Sequence, residues 1–365
     1  MTITEHTFKS DRHTTHFLAA GPVDGPLLVF VHGWPELAIS WRHQLPAFAA
    51  LGFRCIAPDM RGYGRSTVHG RIEDYAQREI VADMLELLDH LGRASAVWIG
   101  HDWGSPVVWN IARHHPKRCV AVASLCVPYD TIERGLDALI ATVDRRLYPA
   151  EQYPAGQWDY MCFYEESFER ATQGFDADPY RTVKAIFRAG APEKRGQPSR
   201  TALVRRNNGW FGPENVAPAL PRDDKVLTEA DLCAYASALA RNGFFGPDAW
   251  YMNHARNARF TREAAGDGRL AMPVLFVGAS YDYVCDTVDS GLGRADEAAM
   301  RRPEPGEDRQ RPLDGAGKAG RAQCRVVPVA GHPRRRALAH WRGLTDTRFN
   351  GGCPAMLGHR PSALA

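Results

Sequence analysis

The sequence predicts an α/β fold in which a mostly parallel sheet is flanked by helices, with an inserted helical lid and an irregular C-terminal tail. Three observations lead to this prediction. Short apolar runs alternate with amphipathic stretches up to about residue 130 and return near residue 273, a pattern typical of parallel strands covered on both faces. Between these regions the apolar runs disappear and aromatic residues recur at helical spacing. From about residue 291 the chain is rich in Arg, Gly and Pro and shows neither period.

These changes divide the 365-residue chain into three parts. Residues 1–130 are expected to form the first part of an α/β core, residues 131–262 the lid, and residues 263–365 the second part of the core. The last part includes the atypical segment from about residue 291. One hypothesis for that segment is an altered reading frame, which resequencing of the region would test.

The composition gives no sign of a polyanion or a lipid surface as a partner. The net charge is only +3, from 45 basic and 42 acidic residues, which indicates neither a nucleic-acid nor a membrane partner. No signal peptide and no apolar run of membrane-spanning length stand out, so a cytoplasmic location is expected. The eight cysteines form no C-x-x-C pair, and no metal-ligand spacing occurs, so no bound metal is expected. The sequence does not predict an oligomeric state.

The individual elements follow from the pattern in chain order. Leu27–Val31 is a fully apolar strand bounded by Gly25-Pro26 and by a Gly- and Pro-containing loop. A second buried strand covers Cys55 to Ala57. The other expected elements are a hairpin at 6–20, helices at 41–51 and 75–91, and strands at 96–100, 120–127, 273–279 and 325–330.

The stretch Gly100-His101-Asp102-Trp103-Gly104 joins an apolar strand to an apolar helix. A glycine on each side of a central polar residue permits a strained strand–turn–helix bend that holds Asp102 out at the end of the sheet. This is the pattern of a nucleophile elbow, G-x-S-x-G, with aspartate in place of serine. By strand alternation, His101 should point away from the nucleophile and serve the structure.

An aspartate at this position restricts the chemistry. A carboxylate is already ionised at neutral pH and needs no base to become a nucleophile. Its attack on an acyl carbon would give an anhydride, whereas its attack on a saturated carbon gives an alkyl ester that water can cleave. The elbow therefore predicts hydrolysis of an alkyl electrophile, such as an epoxide or a carbon–halogen bond.

Two further loops follow predicted strands. His32-Gly33-Trp34-Pro35 can turn so that the N–H of Trp34, together with that of Trp103, points at a developing oxyanion. Asp59-Met60-Arg61-Gly62-Tyr63-Gly64-Arg65-Ser66 forms a compact turn after the next strand. Because parallel strands end at one edge of the sheet, we expect these loops to meet the elbow there.

These three motifs resemble those of the epoxide hydrolases in the α/β-hydrolase superfamily. The resemblance runs from about residue 20 to residue 290. It implies the α/β-hydrolase fold, an Asp nucleophile, an Asp–His pair and two lid tyrosines. It also implies hydrolysis of a small apolar epoxide to a vicinal diol through an alkyl ester on Asp102, with no cofactor.

The resemblance assigns the tyrosines to Tyr160, in Trp158-Asp159-Tyr160, and to Tyr251, at the end of Gly246-Pro247-Asp248-Ala249-Trp250-Tyr251. Opening an epoxide releases an alkoxide, which is a strong base and needs a proton donor. Two phenols can polarise the ring oxygen and supply that proton.

The resemblance also implies that Asp282 is the acid of the triad and His332 its base. Asp282 follows the strand that ends near Gly278, and Asp130 is an alternative acid after the preceding strand. His332 follows the last predicted strand, but its gap of 50 residues from Asp282 exceeds the usual one and Pro333 replaces the usual aromatic residue.

Two alternative functions remain open from the sequence. Haloalkane dehalogenases share the H-D-W-G elbow, and the indoles of Trp34 and Trp103 could together hold a halide. If the C-terminal base is not in place, the protein would instead be a single-turnover or non-catalytic binder of small molecules.

Overall fold

The structure is a computed structural model and describes residues 2–266, 268–287 and 290–293. Its centre is a twisted sheet whose strands are β1 Thr4–Lys9, β2 Thr14–Ala20, β3 Leu27–Val31, β4 Arg54–Pro58, β5 Ala96–His101, β6 Cys119–Leu125 and β7 Val274–Val277. Across the sheet their order is β1-β2-β4-β3-β5-β6-β7. The β1–β2 and β2–β4 pairs are antiparallel and every other pair is parallel, so the predicted mostly parallel sheet is confirmed.

Three helices flank the first part of the sheet: α1 Gln44–Ala50, α2 Gln77–His90 and α3 Gly104–His114. The buried side of α2 carries Ile80, Met84 and Leu87, as its sequence period requires. The predicted helices at 41–51 and 75–91 each begin later than expected. In both cases a short 3₁₀ turn, Ala38–Trp41 or Ile72–Tyr75, precedes the helix proper.

A helical segment occupies residues 132–262, where the sequence predicts the lid. Its helices are α4 Leu136–Ile140, α5 Asp159–Asp176, α6 Pro179–Ile186, α7 Glu229–Asn242, α8 Phe245–Ala249 and α9 His254–Arg262. Local signals explain their ends. Thr228 and Asp231 form a reciprocal capping box at the start of α7, and Gly243, with a φ of +70°, ends it.

The aromatic residues of the helical segment pack into the same apolar core as one face of the sheet. This core includes Val29 and Trp98 from the strands, Trp103 from the elbow, and Tyr160 and Tyr251 from the helical segment. A second apolar cluster, containing Leu28 and Phe30, lies on the opposite face of the sheet. The helical segment is therefore held to the sheet by buried apolar contacts.

The parallel arrangement brings the ends of β3, β4 and β5 to one edge, which places residues 32–35, 59–66 and 102 next to one another. The loop after β7 carries Asp282 to the same edge. The strand predicted at 325–330 and almost all of the atypical tail lie outside the described residues.

Candidate active site

Asp102 sits at the turn between β5 and α3 with a φ of +50°, a left-handed conformation that non-glycine residues adopt rarely. The flanking glycines allow the turn because the backbone approaches very closely there. A Cβ on Gly100 would lie 2.5 Å from the Gly104 carbonyl oxygen, and a Cβ on Gly104 would lie 2.2 Å from that of Val31. The glycines of the elbow are thus explained by steric contact.

The His32–Pro35 loop closes over the Asp102 carboxylate. The main-chain N–H of Trp34 donates to Asp102 Oδ1 at 2.7 Å, and the N–H of Trp103 also hydrogen-bonds this carboxylate. A Cβ on Gly33 would lie 2.4 Å from both Cβ and Oδ1 of Asp102, so only glycine fits the approach. Two backbone donors therefore converge on one side chain, as an oxyanion-binding arrangement requires.

The environment of Asp102 changes its acidity in two directions. Burial raises the pKa of Asp102 to about 6, while the nearby His101 and the N–H groups of Trp34 and Trp103 lower the pKa. The carboxylate is consequently the main form at neutral pH, but it is a stronger base than an exposed aspartate.

His32 connects the His32–Pro35 loop, the predicted oxyanion loop, to the loop that follows β4. Its Nδ1 lies 2.9 Å from the carbonyl oxygen of Gly33, and its Nε2 accepts the N–H of Met60 at 2.9 Å. The Met60 bond requires Nε2 to be unprotonated, so Nδ1–H donates to Gly33. Burial lowers the pKa of His32, which favours this neutral form.

The Asp59–Ser66 turn is held in place by the hydrogen bonds of one buried carboxylate, that of Asp59. Asp59 Oδ1 accepts the N–H of Ala38 at 2.9 Å, and its Oδ2 accepts that of Arg65 at 3.0 Å and lies 3.1 Å from His16 Nδ1. These bonds tie the turn to the loop after β3 and to β2. The motif therefore fixes the position of the loops around the site.

His101, beside the nucleophile, has its own partner. Its Nδ1 lies 3.1 Å from Glu36 Oε2, and the same carboxylate oxygen accepts the N–H of Gly33 at 3.3 Å. Glu36 thereby links the elbow to the oxyanion loop. The sequence predicted a structural role for His101, but it did not predict Glu36, because no motif or residue spacing distinguishes Glu36 before the fold is known.

Tyr160 and Tyr251 are both buried next to Asp102, with ring centroids 5.6 Å apart. Tyr251 also packs edge-on against Trp103 at 5.0 Å. Burial raises the pKa of both phenols well above the usual value, and the charge of Asp102 adds to this rise. Both are proton donors at neutral pH, and neither hydroxyl forms a hydrogen bond with the residues that the structure describes.

Asp282 is buried in the loop after β7, where its Oδ1 accepts the N–H groups of Val284 at 3.0 Å and Cys285 at 2.9 Å. Its charge contributes to the raised pKa of Tyr160, behind burial and other neighbouring groups, so it lies near the site. The alternative acid, Asp130, forms an ion pair with Arg113 at 2.7 Å instead. His332 lies outside the described residues.

Asp248 and Tyr164 are site residues that sequence reasoning missed. Asp248 Oδ1 accepts the indole N–H of Trp34 at 3.0 Å and the hydroxyl of Tyr164 at 3.3 Å. Tyr164 in turn stacks on Tyr251, with centroids 4.6 Å apart and planes at 12°. The available signal was a charged residue within an aromatic, apolar stretch, where a carboxylate is unexpected.

The same bond bears on the dehalogenase alternative. A halide cradle would need the indole N–H of Trp34 to face the nucleophile, but that N–H is bonded to Asp248. Its main-chain N–H, rather than the indole, contacts Asp102. The arrangement therefore presents phenols and backbone amides, which suit an oxyanion or alkoxide.

The described part of the chain contains neither a candidate membrane span nor a candidate metal site. None of its helices is both long and apolar enough to cross a bilayer. Within the same residues, no group of three or more His, Cys, Asp or Glu side chains is placed to bind a metal ion.

Comparison with known proteins adds independent findings. Residues 26–287 match the family model described as the alpha/beta hydrolase fold. The chain is 33% identical over 304 residues to Epoxide hydrolase A of Mycobacterium tuberculosis, covering 82% of this chain and 86% of that protein. It is 46% identical over 265 residues to an epoxide hydrolase of Caballeronia sordidicola, covering 71% and 73%. The crystal structure of Epoxide Hydrolase A from Mycobacterium thermoresistibile superposes with a TM-score of 0.62 at 34% identity, covering 78% and 84%.

Proposed function

The chain belongs to the epoxide hydrolases of the α/β-hydrolase superfamily, and from this premise we propose that it converts a small apolar epoxide to a vicinal diol through an alkyl ester on Asp102. The observation that carries the proposal is the convergence on one carboxylate. Asp102 is held by the N–H of Trp34 at 2.7 Å, and its charge helps to raise the pKa of two buried phenols, Tyr160 and Tyr251.

In the first step, Asp102 attacks a ring carbon of the epoxide and the carbon–oxygen bond of the ring breaks. The Trp34 N–H engages Oδ1, so Oδ2 is the attacking oxygen. The released alkoxide takes the proton of Tyr160 or Tyr251, which leaves a tyrosinate and a hydroxyalkyl ester. General-acid assistance of this kind typically contributes about 10²- to 10⁴-fold to a rate.

In the second step, His332, oriented by Asp282, removes a proton from water, and the resulting hydroxide attacks Cγ of the Asp102 ester. The tetrahedral oxyanion is stabilised by the N–H groups of Trp34 and Trp103. Collapse expels the diol and regenerates the carboxylate. The imidazolium then returns its proton to the tyrosinate, so the sum is epoxide plus water to diol.

The helical segment acts as a lid over this reaction. Tyr160 and Tyr251 both belong to it, and their rings share the core of the sheet through Trp103. Enclosure excludes bulk water, which strengthens the hydrogen bonds to the alkoxide and the oxyanion.

Isotope labelling tests the ester directly. The protein is incubated with a styrene-oxide-type epoxide in H₂¹⁸O over many turnovers, and the peptide containing Asp102 is analysed by mass. The proposal predicts ¹⁸O in the Asp102 carboxylate, because water attacks Cγ rather than the epoxide carbon. Diol that forms while this peptide stays unlabelled would refute the ester mechanism.

Intact mass in the same experiment separates the remaining functions. Multiple turnovers to diol support the complete cycle, whereas a stable adduct on Asp102 identifies a single-turnover protein without a working base. Absence of both identifies a binder. Halide release from a bromoalkane without diol from the epoxide would favour the dehalogenase.

A further inference from the structure

Asp248 is a buried carboxyl group that the mechanism above does not use. It lies on α8 with an exposure of 0%, and its Oδ1 accepts two hydrogen bonds. Among the described residues its Oδ2 has no hydrogen bond of good geometry, although the Thr172 side chain is near enough to lower the pKa of the group. Burying a carboxyl group with an incompletely bonded oxygen destabilises the fold, so the placement of this group requires an explanation beyond packing.

The first bond of Asp248 reaches the oxyanion loop. Trp34 contacts Asp102 with its main-chain N–H at 2.7 Å and Asp248 with its indole N–H at 3.0 Å. One residue therefore connects the nucleophile to the helical segment. Anchoring the far end of the indole restricts the side chain, and with it the backbone of a loop that has no hydrogen bonds of regular secondary structure.

The second bond holds Asp248 itself. Tyr164 on α5 donates its hydroxyl to Oδ1 at 3.3 Å, and the Tyr164 ring stacks on Tyr251. Asp248 is thus fixed from α5 while it fixes Trp34. The arrangement joins the oxyanion loop and one of the two phenols to the same carboxyl group.

The neutral acid suits this position. Burial raises the pKa of Asp248 well above its usual value and the charge of Asp176 adds to the rise, while the donors Trp34, Tyr164 and Thr172 lower the pKa by less. An uncharged carboxyl accepts both bonds with its carbonyl oxygen and adds no second negative charge near the Asp102 oxyanion. Asparagine would present the same acceptor, whereas leucine has a similar shape and no acceptor.

From this geometry we propose that Asp248 is a positioning residue for the second chemical step: it holds the Trp34 indole so that the Trp34 main-chain N–H faces the oxyanion formed on Asp102. The inference rests on the function proposed above. It concerns the hydrolysis of the ester more than its formation, because the tetrahedral oxyanion exists only in that step.

The test compares Asp248→Leu with Asp248→Asn and with Thr228→Ala as a control. Thr228 caps α7 and forms no hydrogen bond with the site, so its loss weakens the helical segment by a comparable local effect. Removing a whole oxyanion donor lowers kcat by about 10²- to 10³-fold, and a displaced donor should cost less. We therefore expect kcat of Asp248→Leu to fall by about ten- to a hundredfold.

The expected signature distinguishes positioning from general damage. In Asp248→Leu, kcat and KM fall together and the ester accumulates in the intact mass, while Asp248→Asn and Thr228→Ala stay within about threefold of the wild type. Ester hydrolysis at the wild-type rate in Asp248→Leu would overturn the inference. So would an Asp248→Asn variant as slow as Asp248→Leu, or the same accumulation of ester in Thr228→Ala.

A second measurement does not need turnover. Hydrogen exchange of the ¹⁵N-labelled Trp34 indole, assigned by its absence in Trp34→Phe, should be slow in the wild type and in Asp248→Asn and faster in Asp248→Leu. Burial of Trp34 is common to all three, so the difference reports the hydrogen bond to the side chain at position 248. Exchange as slow in Asp248→Leu as in the wild type would overturn the inference. If the wild type forms neither diol nor adduct, the proposed function fails, and the indole exchange still decides separately whether Asp248 holds Trp34.

Discussion

Replacing Gly33 with alanine tests how closely the oxyanion loop must approach the nucleophile. The new Cβ would lie 2.4 Å from Asp102 Cβ and Oδ1 and 2.7 Å from the carbonyl oxygen of His101, whereas ordinary contacts begin at 3.4 Å. The loop and Asp102 must therefore separate by about 1 Å, which breaks the 2.7 Å bond from the Trp34 N–H. A misplacement of about 1 Å can cost about 100-fold in rate, and overpacking costs about 1–3 kcal/mol of stability.

The assay measures kcat/KM for diol formation together with the free energy of unfolding in urea. Gly33→Ala should lose about 100-fold in kcat/KM while still unfolding cooperatively. Gly70→Ala is the matched control, because a Cβ there meets nothing within 4 Å. A Gly33→Ala variant within about threefold of the wild-type kcat/KM would refute the reasoning, since the Trp34 donor would then be dispensable.

Three further predictions address the nucleophile, the acids and acid stability. Burial raises the pKa of Asp102 to about 6, and the carboxylate is the reactive form, so kcat/KM at pH 5 should be about one tenth of its plateau value at higher pH. A kcat/KM that stays constant down to pH 5 would contradict this prediction. Tyr160→Phe and Tyr251→Phe should each slow ester formation by about 100-fold, measured by rapid quench and mass spectrometry. Tyr180→Phe, at an exposed position, is the control and should leave the rate of ester formation unchanged. Ester formation at the wild-type rate in the variant that carries both Tyr160→Phe and Tyr251→Phe would exclude the phenols as acids. Burial, followed by nearby cationic groups, lowers the pKa of His13 from 6.5 to about 3, so the unfolded state binds more protons between these values and the free energy of unfolding falls as the pH drops through this window. Between pH 7.5 and pH 5, urea unfolding of His13→Gln should therefore show a smaller loss of stability than that of the wild type. An equal loss in both proteins would contradict the assignment.

Much of the site follows from local sequence. The strands that carry the three loops, the strained turn at Asp102 and the close approach of Gly33 all involve short stretches whose residue types restrict the backbone directly. The assignment of Trp34 and Trp103 as donors came from the same local reasoning, because a loop that follows a parallel strand must turn at the sheet edge. The catalytic roles stay predictions for all the proposed site residues, namely Asp102, Asp282, His332, Tyr160, Tyr251, Trp34 and Trp103.

Other parts of the site could not be predicted from the sequence. Glu36 contacts His101 across 65 residues, and Asp248 contacts Trp34 across 214 residues. No period or turn residue marks such pairs, because each depends on how two distant elements pack. The helices that begin after a 3₁₀ turn show the same limit on a smaller scale, since tertiary contacts decide where a frayed end becomes regular.

The sequence alone determined the class of fold, and it predicted Asp102 as a nucleophile for an alkyl electrophile, because glycine sterics, strand periodicity and the chemistry of a carboxylate act over a few residues. Only the tertiary structure decided that the Trp34 indole faces a buried carboxyl group on the helical segment and that its backbone N–H faces Asp102. The physical reason is that the main chain and the indole of one residue are held by elements far apart in the chain, and only the packing of the helical segment against the sheet brings those elements together.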